Sequence, residues 1–243
     1  MILRKKERAR DYSNSLFTRD DPRSTVSEAF RTLRTNLKFY GSGDNPIQSI
    51  LITSSVPAEG KSILLSNLAL TIAQNGEKVI ICDTDFRRPT INKIFKGNNR
   101  QGLTNVLVGD KEVSEVINTN NLHPNLSYIS CGPIPPNPYE LIGSPKMLEV
   151  IKELKDNADM VLFDSPPIVG FADGLLLANQ VDGVLLIIEV KKVHREAVKQ
   201  AKSQLEKSKA KILGVVLNKI DLKRDSYYYN YDYYNYQKYY KNN

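Results

Sequence analysis

The segment Ser54-Ser55-Val56-Pro57-Ala58-Glu59-Gly60-Lys61-Ser62 follows an apolar run, Ser49–Thr53, and leads into a helix-period stretch. Against the phosphate-binding pattern G-x-x-x-x-G-K-[ST], its last three positions match as Gly60, Lys61 and Ser62, with Ser55 at the first glycine. Such a loop curls backbone N–H groups around phosphate oxygens at a helix N-terminus, where the dipole favours anions. Lys61 would then reach the β- and γ-phosphates, and the Ser62 hydroxyl would ligate Mg²⁺. Two other apolar runs end in acids. Val79–Cys82 leads into Asp83-Thr84-Asp85-Phe86-Arg87-Arg88-Pro89, and Val161–Phe163 into Asp164-Ser165-Pro166-Pro167. An apolar strand ending in Asp is the arrangement by which P-loop enzymes hold Mg²⁺ or its water. A lone Asp after a strand is ordinarily a turn or cap residue. Two such strands beside a phosphate loop point instead to nucleotide hydrolysis or phosphoryl transfer, because Asp83, Asp85 and Asp164 together need a cation that Mg-nucleotide supplies.

A third segment carries potential acceptors. Of thirteen Tyr, nine lie near the C-terminus: Tyr227, Tyr228, Tyr229, Tyr231, Tyr233, Tyr234, Tyr236, Tyr239 and Tyr240. No Leu, Ile or Val follows Leu222, so this stretch lacks the aliphatic residues of a packed core and reads as a disordered tail over 225–243. Its two Asp balance its two Lys, so the formal charge of +7 belongs to the rest of the chain.

The elements that must position these groups alternate along the chain. Candidate strands are Ser49–Thr53, Lys78–Cys82, Leu126–Ser130, Met160–Phe163, Gly183–Ile188 and Ile212–Leu217. Helix-period stretches are Ser24–Tyr40, Lys61–Gln74, Ser144–Asn157, Asp173–Ala178 and Val193–Ser208. Most strands are unbroken Val/Ile/Leu runs, as when helices cover both faces of a sheet. The expected fold is α/β and P-loop NTPase-like, a mostly parallel central sheet with helices on both faces. Ligands of such sheets bind beyond the C-terminal strand ends.

Composition removes several classes. Runs such as Val184–Ile188 fall far short of the roughly 20 residues of a membrane helix. The basic start, Arg4 to Arg10, precedes no apolar stretch and is no secretory signal. Cys82 and Cys131 make no disulfide framework, and with His123 and His194 as the only imidazoles there is no zinc-type cluster. A soluble protein of a reducing compartment is expected. The basic balance lacks the aromatic-interleaved groove of a nucleic-acid binder.

The combination resembles the bacterial protein-tyrosine kinases (BY-kinases) of capsule and exopolysaccharide export systems. Their D-x-D-x-R motif appears as Asp83-Thr84-Asp85-Phe86-Arg87 and their D-[ST]-P-P motif as Asp164-Ser165-Pro166-Pro167. Glu28-Ala29-Phe30-Arg31-Thr32-Leu33-Arg34-Thr35-Asn36, Gly132-Pro133-Ile134-Pro135-Pro136-Asn137-Pro138 and the tyrosine cluster complete the match. Ala58 departs from it, standing where the family often has Gly. The resemblance implies a basic N-terminal arm over 1–23, a P-loop tyrosine kinase domain over 24–224 and a phosphoacceptor tail over 225–243. It implies ATP held by Ser55, Glu59, Gly60, Lys61, Ser62 and Asn218, and Mg²⁺ held by Ser62, Asp85 and Asp164. Asp83 would accept the tyrosine proton, with Asp85, Asp164 and Lys61 the other catalytic residues. Glu28, Arg31 and Arg34 would join subunits in a homo-oligomeric ring. A transmembrane adaptor of the polysaccharide co-polymerase type would recruit the cytoplasmic chain to the inner membrane face. A cognate tyrosine phosphatase and further protein substrates would complete the circuit.

Three other readings compete. MinD- and ParA-type positioning ATPases share the fold but carry a second lysine where Val56 stands. Asn218-Lys219-Ile220-Asp221 fits the guanine-reading N-K-x-D pattern of GTPases, although likeness to related ATPases would set Asn218 on adenine. A non-catalytic scaffold with a tyrosine-rich tail would never carry phosphotyrosine.

Overall fold

The computed structural model describes Tyr12, residues 15–41 and residues 46–220. The chain enters through α1 (Phe17–Asp20) and α2 (Thr25–Tyr40), followed by β1 (Ser49–Ser54), α3 (Lys61–Ala73) and β2 (Val79–Asp83). Three short helices, α4 (Ile91–Ile94), α5 (Leu103–Leu107) and α6 (Val113–Val116), lead to β3 (Ile117–Thr119) and β4 (Leu126–Ile129). Then come α7 (Pro138–Ile142), α8 (Pro145–Asn157), β5 (Met160–Asp164), α9 (Asp173–Ala178), β6 (Gly183–Glu189), α10 (Arg195–Lys207) and β7 (Ile212–Asn218).

The strands form one sheet in the order β3-β4-β2-β5-β1-β6-β7, parallel throughout except where β3 runs against β4. Alternate residues of the central strands feed two cores. Ile50, Ile52 and Leu162 pack toward α2 and α3, whereas Leu51, Val161 and Phe163 pack toward α5, α6, α8, α9 and α10. Both faces are therefore dry, and the apolar runs need no polar alternation.

Helix α3 is buried on nearly all sides, because the sheet lies under it and α1 and α2 lie over it. That explains its almost uniformly apolar sequence. Asn67, in its middle, is satisfied by neighbours outside the helix: its Oδ1 accepts from Thr18 N and Oγ1 at 3.0 and 3.2 Å, and its Nδ2 donates to Ser15 O at 2.7 Å. Residues from Ser15 onward, counted in the basic arm by the sequence reading, thus pack against the P-loop helix. Helices α2 and α8 begin at Ser24 and Ser144, whose hydroxyls accept from the N–H three residues on.

All six expected strands are present to within one residue at either end, and the five expected helices to within two. Strand β3 and the helices of four or five residues escaped the sequence reading, since they are too short to display a period. Residues 1–11, 13 and 14, and the tail with Tyr227, Tyr228, Tyr229, Tyr231, Tyr233, Tyr234, Tyr236, Tyr239 and Tyr240, lie outside the described residues.

Candidate active site

The strand order brings the acidic ends and the phosphate loop together. Strand β5 lies between β1 and β2, with Asp164 level with Ile52 on one side and Asp83 on the other. Beyond β1, the loop turns into α3 at Gly60, whose φ of +93° is a left-handed value that glycine adopts without strain. Ala58 also takes a left-handed backbone, φ +67°. Glycine would adopt this value without strain.

Asp164 is fully buried. Its Oδ2 accepts from the Ser62 hydroxyl at 2.5 Å, while its Oδ1 is buried without a hydrogen-bond partner. Burial pushes its carboxyl up to about 7, against the pull of Lys61 and with a further push from Asp85. Lys61 is itself only 7 % exposed, so this cation and the carboxylates face one another with little water between.

Asp83 is also fully buried, and burial together with the charges of Asp164 and Asp85 raises its proton affinity well above the ordinary range. Its Oδ2 accepts from Thr90 N and Ile91 N, both at 3.0 Å, and its Oδ1 from Asp85 N at 3.2 Å. One lone pair on Oδ1 is left over. Asp85, at 6 % exposure, is the more open of the pair, and its Oδ1 accepts from the Arg87 and Arg88 amides.

A buried carboxylate oxygen without a donor, a hydroxyl beside it and neighbouring acids form an all-oxygen donor set that suits Mg²⁺. Among the described residues, no three Asp, Glu, His or Cys side chains converge into an all-protein metal cage. Ser62 and Asp164, with Asp85 beside them, are the residues that would hold Mg²⁺.

Two expected nucleotide ligands make hydrogen bonds within the loop and to the neighbouring strand ends. Glu59 is fully buried, and its carboxylate accepts from Val56 N and Glu189 N, each at 2.8 Å, so it shapes the loop. Asn218 donates to the Glu59 carbonyl at 2.8 Å and accepts from Lys219 N at 2.9 Å. Ser55 lies in the loop with its hydroxyl buried and unpartnered. The sequence reading missed Asp173: Arg87 donates to it through Nε at 2.8 Å and Nη2 at 3.4 Å, with its guanidinium 4.4 Å above the Phe171 ring. Only the arginine of the D-x-D-x-R motif hinted at such a partner.

Glu28, Arg31 and Arg34 are remote from these groups, on α2. Arg31 pairs with Glu28 at 2.8 Å and donates to Pro22 O at 2.6 Å; Arg34 donates to Thr71 O at 3.1 Å. Cys82 and Cys131 are free, buried thiols whose burial pushes both upward, away from reactivity. No helix among the described residues is long and apolar enough to cross a membrane.

Comparison with known proteins agrees with this geometry. The AAA domain family matches residues 49–219. The tyrosine-protein kinase YwqD of Bacillus subtilis is 40 % identical over 228 residues, covering 94 % of this chain and 95 % of its own. The chimerical protein CapA2B2 superimposes with a TM-score of 0.81 at 36 % identity, over 85 % of this chain and 90 % of that one. The kinase domain of the Escherichia coli tyrosine kinase ETK does so with a TM-score of 0.81 at 29 % identity, over 90 % and 85 %. A P-loop flanked by two acidic strand ends, on a chain this similar throughout to such kinases, leaves one assignment: the protein belongs to the bacterial tyrosine-protein kinases.

Proposed function

We propose that this kinase transfers the γ-phosphoryl group of Mg-ATP to the tyrosines of its own C-terminal segment, between neighbouring subunits, and thereby regulates capsule or exopolysaccharide synthesis and export. The observation that carries the chemistry is Asp164, with one oxygen on Ser62, the other unpartnered, and Lys61 opposite. Lys61 and the loop amides hold the triphosphate, and Ser62, Asp164 and Asp85 hold the metal. Mg²⁺ supplies neutralisation of the charge that gathers on the phosphate oxygens.

The acceptor phenol has an ordinary pKa of about 10 and is a poor nucleophile at neutral pH. Asp83 takes its proton as the phenolic oxygen bonds to the γ-phosphorus and the bond from that phosphorus to the β-phosphate oxygen breaks, releasing ADP. The free lone pair on its Oδ1 supports this role. Arg87, clamped by Asp173 and Phe171, steadies the Asp83–Arg87 loop in which both acids lie.

Around this chemistry we place a ring of subunits joined through Glu28, Arg31 and Arg34, a membrane adaptor that activates the chain at the inner membrane face, and a phosphatase that resets it. That the relative CapA2B2 was solved as a chimerical protein supports a partner segment acting on the kinase. The test is incubation with Mg-ATP followed by anti-phosphotyrosine detection. Lys61→Met should abolish the signal, and Asp83→Asn should abolish it while ATP still binds. Asp83→Asn with undiminished transfer would refute its role as proton acceptor.

A further inference from the structure

We propose that Asn218 is a positioning residue for the phosphate loop and not a reader of the nucleobase. The inference rests on the reading that nucleotide phosphates occupy the loop at 55–62. Asn218 ends β7 beside Glu189, the last residue of β6. Its Nδ2 donates to the Glu59 carbonyl at 2.8 Å, and its Oδ1 is held by Lys219 N at 2.9 Å. The contact exists because residue 60 has no side chain: a Cβ there would stand 2.3 Å from Asn218 Nδ2.

The neighbouring peptide is held from the same side. Lys192 donates to the Ala58 carbonyl at 3.0 Å and is itself paired with Glu189 at 3.0 Å. The buried Glu59 carboxylate bridges Val56 N and Glu189 N. The turn after β6 and the end of β7 therefore hold two successive loop carbonyls. In a trans peptide the C=O and the next N–H point in opposite directions. Anchoring the carbonyls of Ala58 and Glu59 thus aims the N–H groups of Glu59 and Gly60 away from the two strands. Those amides are set in advance for phosphate oxygens, and the binding step need not order them.

The test is the affinity of the full chain for Mg-ATP, Mg-GTP and Mg-tripolyphosphate, the last having no base. Asn218→Leu keeps the approximate volume and adds no charge but removes the donor; Lys192→Met removes the second anchor from an exposed position. Melting temperatures without ligand verify that each variant is folded. Asn218→Leu should weaken all three ligands by a similar factor, about tenfold for one lost hydrogen bond in a preset loop, with the ATP:GTP ratio unchanged. Lys192→Met should give a smaller loss of the same pattern. Selective loss of ATP, with GTP and tripolyphosphate unaffected, would make Asn218 a base reader and overturn the proposal. Unchanged affinity for all three would overturn it equally. Failure of the unmodified chain to bind Mg-ATP would instead sink the nucleotide-site reading, and is seen before any variant is compared.

Discussion

At φ +67°, Ala58 holds a left-handed backbone that costs a residue with a Cβ roughly 1–2 kcal/mol. Glycine removes that cost but loses ~0.4–1 kcal/mol to the greater freedom of the unfolded chain. Ala58→Gly should therefore stabilise the protein by between about 0 and 1.6 kcal/mol, read from urea denaturation midpoints. Asp164 makes the opposite kind of statement. Its carboxyl, raised to about 7 from an ordinary 3.8, keeps a proton in the folded state that the unfolded chain has already released. Stability must then fall as pH rises between about 4 and 7, and level off above. Asp83, raised by burial and its acidic neighbours, adds to the fall with the same sign. In metal-free buffer the denaturation midpoint should be lower at pH 8 than at pH 5, and Asp164→Asn should reduce that difference; an identical difference in the variant would contradict the assignment. The acids themselves were legible, because each follows an apolar strand. Their unequal surroundings were not. The pairing of Asp83 with Asp164 depends on β5 inserting between β1 and β2, and Arg87 finds Asp173 across 86 residues of sequence.

Helices and strands were readable wherever burial leaves a long signature. Strands β1, β2 and β5 are covered on both faces and appear as unbroken apolar runs, and α3 is apolar all round because it is enclosed. Strand β3, three residues of half-exposed edge, has no such signature. Helix α2 poses a different question, since its Glu28–Arg31 pair is exposed and satisfied within the helix. An exposed pair of this kind contributes about 0.2–1 kcal/mol to folding. Replacing Glu28, Arg31 and Arg34 together with Ala should therefore leave the chain folded by circular dichroism. The same replacement should shift its mass by light scattering toward the monomer, as expected of residues that join subunits. An unchanged oligomer would remove them from the interface.

At the scale of the whole molecule, the charge of +7 belongs to residues outside the neutral, tyrosine-rich C-terminal segment. Each phosphate adds about −1.5 to −2 charges at neutral pH, so about four or five cancel the formal balance of +7. The proposed transfer between subunits would make the donor site and the acceptor segment separable. The most direct measurement mixes a chain whose nine tyrosines from Tyr227 to Tyr240 are replaced by Phe with a Lys61→Met chain that keeps them. Mg-ATP and the cytoplasmic segment of the proposed adaptor are added, and phosphosites are mapped by mass spectrometry. The account predicts phosphate on the C-terminal tyrosines of the Lys61→Met chain, and only when the partner is present. Phosphate confined to serine or threonine, or absent from those tyrosines, would contradict it.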